Sequence, residues 1–249
     1  THHDGLHEEQ TPENVVRRAA PSATRAAHRL GWLLLCVTFA ACASESETET
    51  AASSSGTPAA EPAPSAYVVR LDSDRSDPGQ FQLTEEGPAL RILTGPAGIA
   101  YRAEDAVQSG DFRVDATFTQ YGAPVGYREA YGLFLGGLEL DGPELEYTYL
   151  LVRPTGDFLI KRRIGEITET IVDWTPHTAI RVVAAEGDEP ENTVTVEVAD
   201  GQLNFILNGQ LAHSMLATEA RPFGITGLRA NHRLDVRVTN WTLAISATR

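Results

Sequence analysis

Glu139, Asp141 and Glu144 are three acids close together in the chain, and by residue type they are the first candidates for chemistry. Two carboxyl groups held about 5–5.5 Å apart can cleave a glycosidic bond with retention, one as nucleophile and one as proton donor. Acids on one strand could be brought onto a shared face by the alternation of side chains. Here Gly142-Pro143 interrupts the run. Proline cannot donate to a central ladder, and Asp-Gly-Pro is turn chemistry. The expectation is therefore a solvated hairpin tip, which leaves Glu139, Asp141 and Glu144 as weak catalytic candidates.

A second constellation suits binding. Tyr147, Tyr149, Leu151 and Arg153 share one face of a strand, and Leu159, Lys161 and Arg163 share one face of the next. Pro154-Thr155-Gly156-Asp157 between them favours a tight reversal. If the two strands pair as a hairpin with these faces coincident, tyrosine rings would neighbour cationic donors. Rings stack on sugar faces, and guanidinium or ammonium groups bind hydroxyls and carboxylates. The plainer alternative is that the tyrosines are core and the cations solvated.

His232, in Asn231-His232-Arg233, is a further ligand-binding candidate. His177 and His213 lie far from it, and the three show no metal-binding spacing. Acidic clusters at 139–146 and 186–191 could supply oxygens to calcium, but neither has the spacing of a calcium loop. Calcium stays an unassigned candidate, no other cofactor is implied, and no metal ligands are assigned. Trp174 and Trp241 read as core or rim residues, and Asn208 as a turn residue.

Short alternating runs must position these groups. The clearest are Phe112–Thr119, Ala130–Leu135, Tyr147–Arg153, Phe158–Arg163, Thr193–Val198, Leu203–Leu207 and Leu234–Leu243. Asp200-Gly201 and Asn208-Gly209 supply the positive φ angles of two-residue hairpin turns. Phe112–Thr119 alternates with one wet face, whereas Tyr149-Leu150-Leu151-Val152 is apolar on both faces and belongs at a sheet centre. Leu234–Leu243 alternates until Asn240 and reads as a last strand closing the sheet. Residues 103–109 could form one or two helical turns. Many short strands joined by hairpins predict an all-β, antiparallel β-sandwich of the jelly-roll kind over 67–249. That length buries a full core without disulfides or metals.

Upstream the composition differs. Leu30–Ala41 is uncharged and mostly apolar, and it follows Arg17, Arg18, Arg25, His28 and Arg29. A helix of that length spans about 18 Å, short of a hydrocarbon core of about 30 Å. Residues 1–41 thus read as a signal peptide with an over-extended start, translation beginning at Val15 or Val16. Phe39-Ala40-Ala41-Cys42 resembles the lipobox of bacterial lipoproteins, apart from Phe39 where leucine is usual. The resemblance implies a lipidated Cys42 as the mature N-terminus. Ala43, in place of an inner-membrane retention aspartate, points to the outer membrane where there is one. Cys36 leaves with the signal, so no disulfide or cysteine nucleophile is expected beyond it. Residues 42–66 contain no lysine, arginine or large aliphatic residue and read as a disordered tether. The chain carries 34 acidic against 20 basic residues, a net charge of −14, with Lys161 its only lysine. Such a chain repels phosphate backbones, which argues against a nucleic-acid partner.

The order of pieces downstream carries a resemblance. Ala130–Gly137, Tyr147–Val152, Thr155–Phe158, Val172–Thr175, Asn192–Val196, Phe205–Gly209 and Gly224–Arg229 together resemble the concanavalin A-like lectin/glucanase superfamily. Within it they are most similar to laminin-G-like and 3-keto-disaccharide hydrolase-like domains. Laminarinase-type glucanases of this fold carry E-x-D-x-x-E on a strand, the pattern that Gly142-Pro143 breaks here. The resemblance implies a fold rather than an activity. The expected function is a membrane-anchored, extracytoplasmic carbohydrate-binding or interaction module, leaning away from catalysis. A glycoside hydrolase or related enzyme is one alternative. A structural envelope lipoprotein binding another protein is the other.

Overall fold

The computed structural model describes residues 66–246. The signal segment, Cys42 and the tether up to 65 lie outside the described residues.

The alternating runs form strands, numbered in chain order. The first seven are β1 (Val68–Leu71), β2 (Phe81–Glu86), β3 (Ala89–Thr94), β4 (Gly98–Val107), β5 (Phe112–Gln120), β6 (Tyr131–Leu138) and β7 (Glu146–Arg153). Then come β8 (Asp157–Ile164), β9 (Ile167–Pro176), β10 (Glu191–Ala199), β11 (Gln202–Leu207), β12 (Gln210–Leu216), β13 (Gly224–Ala230) and β14 (Asp235–Ile245). The first sheet has seven strands in the order β1-β4-β13-β6-β7-β8-β9, the second seven in the order β12-β11-β10-β5-β14-β3-β2. Neighbours are antiparallel throughout. The chain is thus an all-β antiparallel sandwich. The helical elements among the described residues are a 3-10 turn at Pro78–Gln80 and a four-residue helix at Ala217–Ala220.

Alternate residues meet between the sheets. Leu133, Leu150, Val152, Phe158, Ile160 and Leu228 of the first sheet pack with Val114, Phe118, Val194, Val196, Phe205 and Val236 of the second. Phe118 stacks on Tyr131 across the interface, 4.9 Å between ring centroids. The Tyr131 hydroxyl accepts from Asn192 Nδ2 at 3.1 Å, so its one polar atom is satisfied. Burial, opposed by that bond, pushes the Tyr131 hydroxyl up to about 12. Asn208 does make a hairpin turn: Asn208 and Gly209 have φ of 48° and 79°, as Asp200 and Gly201 have 50° and 75°. Its amide also locks the turn, accepting from Thr193 N and donating to Ala179 O and Asn192 Oδ1.

Two expectations need correction. Residues 103–109 do not form helical turns; most of them belong to β4. The register between β4 and β13 passes from Ala106↔Ile225 to Tyr101↔Gly227, so Arg102–Asp105 bulge out of the ladder. The bulge lets Arg102 Nε reach Asp105 Oδ2 at 2.8 Å. β14 does not close its sheet at an edge but lies inside it, between β5 and β3. Where its alternation fails, Asn240 takes φ 53° and the register to β5 slips between Thr239 and Thr242.

Candidate functional site

The first sheet turns a second set of side chains away from the main core. Ile99, Tyr101, Phe134, Tyr147, Tyr149, Leu151 and Leu159 alternate with the inward residues and form a cluster of their own on the outer face. Leu140 and Leu145 join it from the β6–β7 connection, so this connection folds down onto the face. Gly227 makes room beneath: a Cβ there would lie 2.5 Å from the Phe134 ring.

The hairpin expected across Pro154–Asp157 forms with the expected faces coincident. β7 and β8 pair Tyr147 with Arg163, Tyr149 with Lys161, Leu151 with Leu159 and Arg153 with Asp157. Tyrosines and cations are therefore neighbours. The rings are not open platforms, however. Tyr147 is 1% exposed and Tyr149 5%, beneath a cover that includes Leu140 and Leu145. A ring stacks on a sugar only where it shows a face to solvent, so these two act here as floor.

Charged groups stand above that floor. The Arg229 fork binds the Asp72 carboxylate through both oxygens, at 2.5 Å each. Arg163 Nη1 donates to the same carboxylate at 2.6 Å, and its Nη2 to the Asp72 carbonyl at 3.1 Å. Arg163 Nε donates to Gly165 O, which fixes the side chain at the end of β8. Arg70 Nη1 donates to Asp141 O at 2.9 Å, joining β1 to the β6–β7 connection. Burial alone would push the Asp72 carboxyl up. The hydrogen bond and charge of Arg229, backed by the charges of Arg163 and His232, outweigh it and hold the group below its usual range. Asp72 thus stays ionised near neutral pH.

A cleft of about 580 Å³ opens at this network. Arg70, Asp72, Arg75 and Arg163 line it with Pro143 and Leu145, and Glu166 stands at the β8–β9 turn. Fixed guanidinium forks and an ionised carboxylate can donate to and accept from the hydroxyls of a polar ligand, while Pro143 and Leu145 offer an apolar wall.

The other predicted residues are dispersed. Lys161 lies half-buried on the outer face beside Tyr149. Arg153 is buried at the far end of β7; its Nε donates to Asp157 Oδ2 at 3.0 Å, and its guanidinium lies 4.1 Å from the centre of the Trp174 ring. His232 is exposed, its Nδ1 3.7 Å from Glu129 Oε2, a carboxylate partner distant in sequence. Glu139, Asp141 and Glu144 are exposed on the β6–β7 connection rather than on a strand, and Glu139 has φ 47°. Asp141 joins the site through its backbone carbonyl, which accepts from Arg70. Among the described residues, no three histidine, cysteine or carboxylate side chains gather in a metal-binding group.

Sequence reasoning missed Arg70, Asp72 and Arg229. Arg229 had a readable signal, as the single charge in Gly224–Ala230, a strand otherwise made of small and apolar residues and one threonine. Asp72 had none, because it follows β1 and its partners are 91 and 157 residues away in the chain.

No protein-family model and no curated protein matches the sequence. Solved structures do match in fold. The carbohydrate recognition domain of Emp46p, in one of its crystal structures, superposes with a TM-score of 0.50 at 11% identity, over 74% of this chain and 89% of that one. The carbohydrate binding module CBM66 from Bacillus subtilis gives 0.49 at 10% identity, over 71% and 94%. A Bacillus subtilis protein of unknown function with a galectin-like fold gives 0.47 at 10%, over 74% and 90%. At these identities the likeness is one of fold.

Proposed function

We propose that the domain is a non-catalytic carbohydrate-binding module, displayed outside the cytoplasm on a lipidated Cys42. The observation that carries the binding reading is the cleft itself. Arg163 and Asp72 hold each other in fixed geometry at an opening that has a polar side and an apolar wall. Such a site costs a ligand little reorganisation. The fold shared with the Emp46p carbohydrate recognition domain supports the same reading. The ordered series from Ala130 to Arg229 supports a likeness to laminin-G-like and 3-keto-disaccharide hydrolase-like domains. Catalysis fits the residues less well. Asp72 is held ionised and cannot lend a proton near neutral pH, and Glu139, Asp141 and Glu144 sit on an exposed connection.

The anchor rests on the basic flank, the short apolar run and the small residues before Cys42. A glycan array probed with the full chain tests the binding reading: at least one glycan is retained, and Arg163→Ala abolishes its retention. An array with no retained glycan overturns it. In cells, palmitate labelling lost in Cys42→Ala is the expected result for the anchor.

A further inference from the structure

We infer that the cleft takes the carboxylate of an acidic saccharide, a uronic-acid residue rather than a neutral sugar; this rests on the carbohydrate reading of the same cleft. The argument is a local charge imbalance. Three guanidiniums, those of Arg70, Arg163 and Arg229, have side chains only 25%, 13% and 7% exposed. The one carboxylate among them that is also shielded is Asp72, at 32%. Two further acids line the cleft and stand in water: Asp74, 3.7 Å from Arg70 but 90% exposed, where water screens the pair, and the exposed Glu166. Arg75 lines the same cleft and has no ionic partner among the described residues. Among the shielded groups at the cleft the guanidiniums thus outnumber the carboxylate, on a chain whose net charge is −14.

Sugar hydroxyls could accept from the guanidiniums that line the cleft, those of Arg70, Arg75 and Arg163, but they would leave the excess positive charge in place. A carboxylate accepts the hydrogen bonds and neutralises the charge together, and its two oxygens match the planar fork of an arginine. Pro143 and Leu145 would then meet the C–H face of the ring that bears it.

Titration calorimetry on the full chain tests this with galacturonate, glucuronate and mannuronate oligosaccharides, each beside its carboxyl-reduced, neutral form. At least one acidic oligosaccharide binds, and carboxyl reduction weakens it about tenfold or more, the scale of one lost charge-assisted contact. Arg163→Gln weakens the acidic ligand by a similar factor, and a thermal melt confirms the fold, because Asp72 keeps Arg229. Arg75→Gln, at an exposed position, weakens it about threefold without touching the buried network. Arg113→Gln on the opposite sheet leaves affinity unchanged. Equal affinity for acidic and reduced forms, or an acidic ligand indifferent to both Arg163→Gln and Arg75→Gln, overturns the inference while leaving carbohydrate binding standing. Glycans retained on the array but no acidic oligosaccharide bound has the same meaning. No saccharide bound in either experiment overturns both readings.

Discussion

The two sheets are built by the same alternation, yet their outer faces differ. On the second sheet the outward positions hold Thr117 and Thr193, whose hydroxyls lie 3.0 Å apart, and Arg113, which bridges Asp115 at 2.9 Å and Glu197 at 3.1 Å. Arg113 is 43% exposed, and its ion pairs meet water. On the first sheet the corresponding positions hold Phe134, Tyr147, Tyr149 and Leu159, which cannot face water without cost. The β6–β7 connection covers them, and the ion pairs there become shielded ones. Residue type at every second position thus decides whether a sandwich face ends in solvent or gains a further layer with a site at its rim.

The comparison breaks most easily at the floor. Phe134→Ala should cost about 3–5 kcal/mol, as for other buried phenylalanines. The check is chemical denaturation, and a loss below about 1 kcal/mol would mean that the covering layer contributes little. Next comes Asp72→Asn, which leaves Arg163 and Arg229 without their carboxylate and should cost about 3 kcal/mol. Its pH dependence sharpens the contrast. The folded Asp72 is held below its ordinary range, so its contribution is full above the unfolded carboxylate pKa of about 3.9. That contribution is lost as pH falls through the folded value. Wild type should therefore lose more stability on acidification below about pH 4 than Asp72→Asn does, and parallel curves would contradict the assignment. The smallest effect belongs to the second sheet: Arg113→Ala should change stability by about 1 kcal/mol or less, and less still in high salt.

Much of the sandwich was legible because alternation and turn chemistry are local. Phe112–Gln120, Glu146–Arg153 and Gln202–Leu207 lie within two residues of the runs that predict them, and both Asx-Gly pairs make their turns. β4 was misread because Ala103, Glu104, Asp105 and Ala106 have no strand alternation where the chain bulges, and such residues serve a helix equally well. The position of β14 was not legible, since strand order within a sheet is set by long-range pairing and leaves no local trace. The site divides in the same way. The pairing of Tyr147 with Arg163 followed from one hairpin, but the burial of both tyrosines depends on a connection that reads as a solvated tip. Leu140 and Leu145, two apolar residues within that acidic run, were the clue that it folds back.

β1 carries a mechanical consequence. It is a four-residue edge strand, held to the sheet along one side by the ladder with β4. The chain enters the sandwich through it, so a pull applied ahead of Tyr67 arrives at β1 and loads its ladder one rung at a time, as a zipper. Arg70 belongs to that strand and Asp72 follows it directly. Tension on a tethered domain would peel away the cleft's own charges before it reached the core, and the grip on a ligand would slacken under load while the sandwich stayed folded.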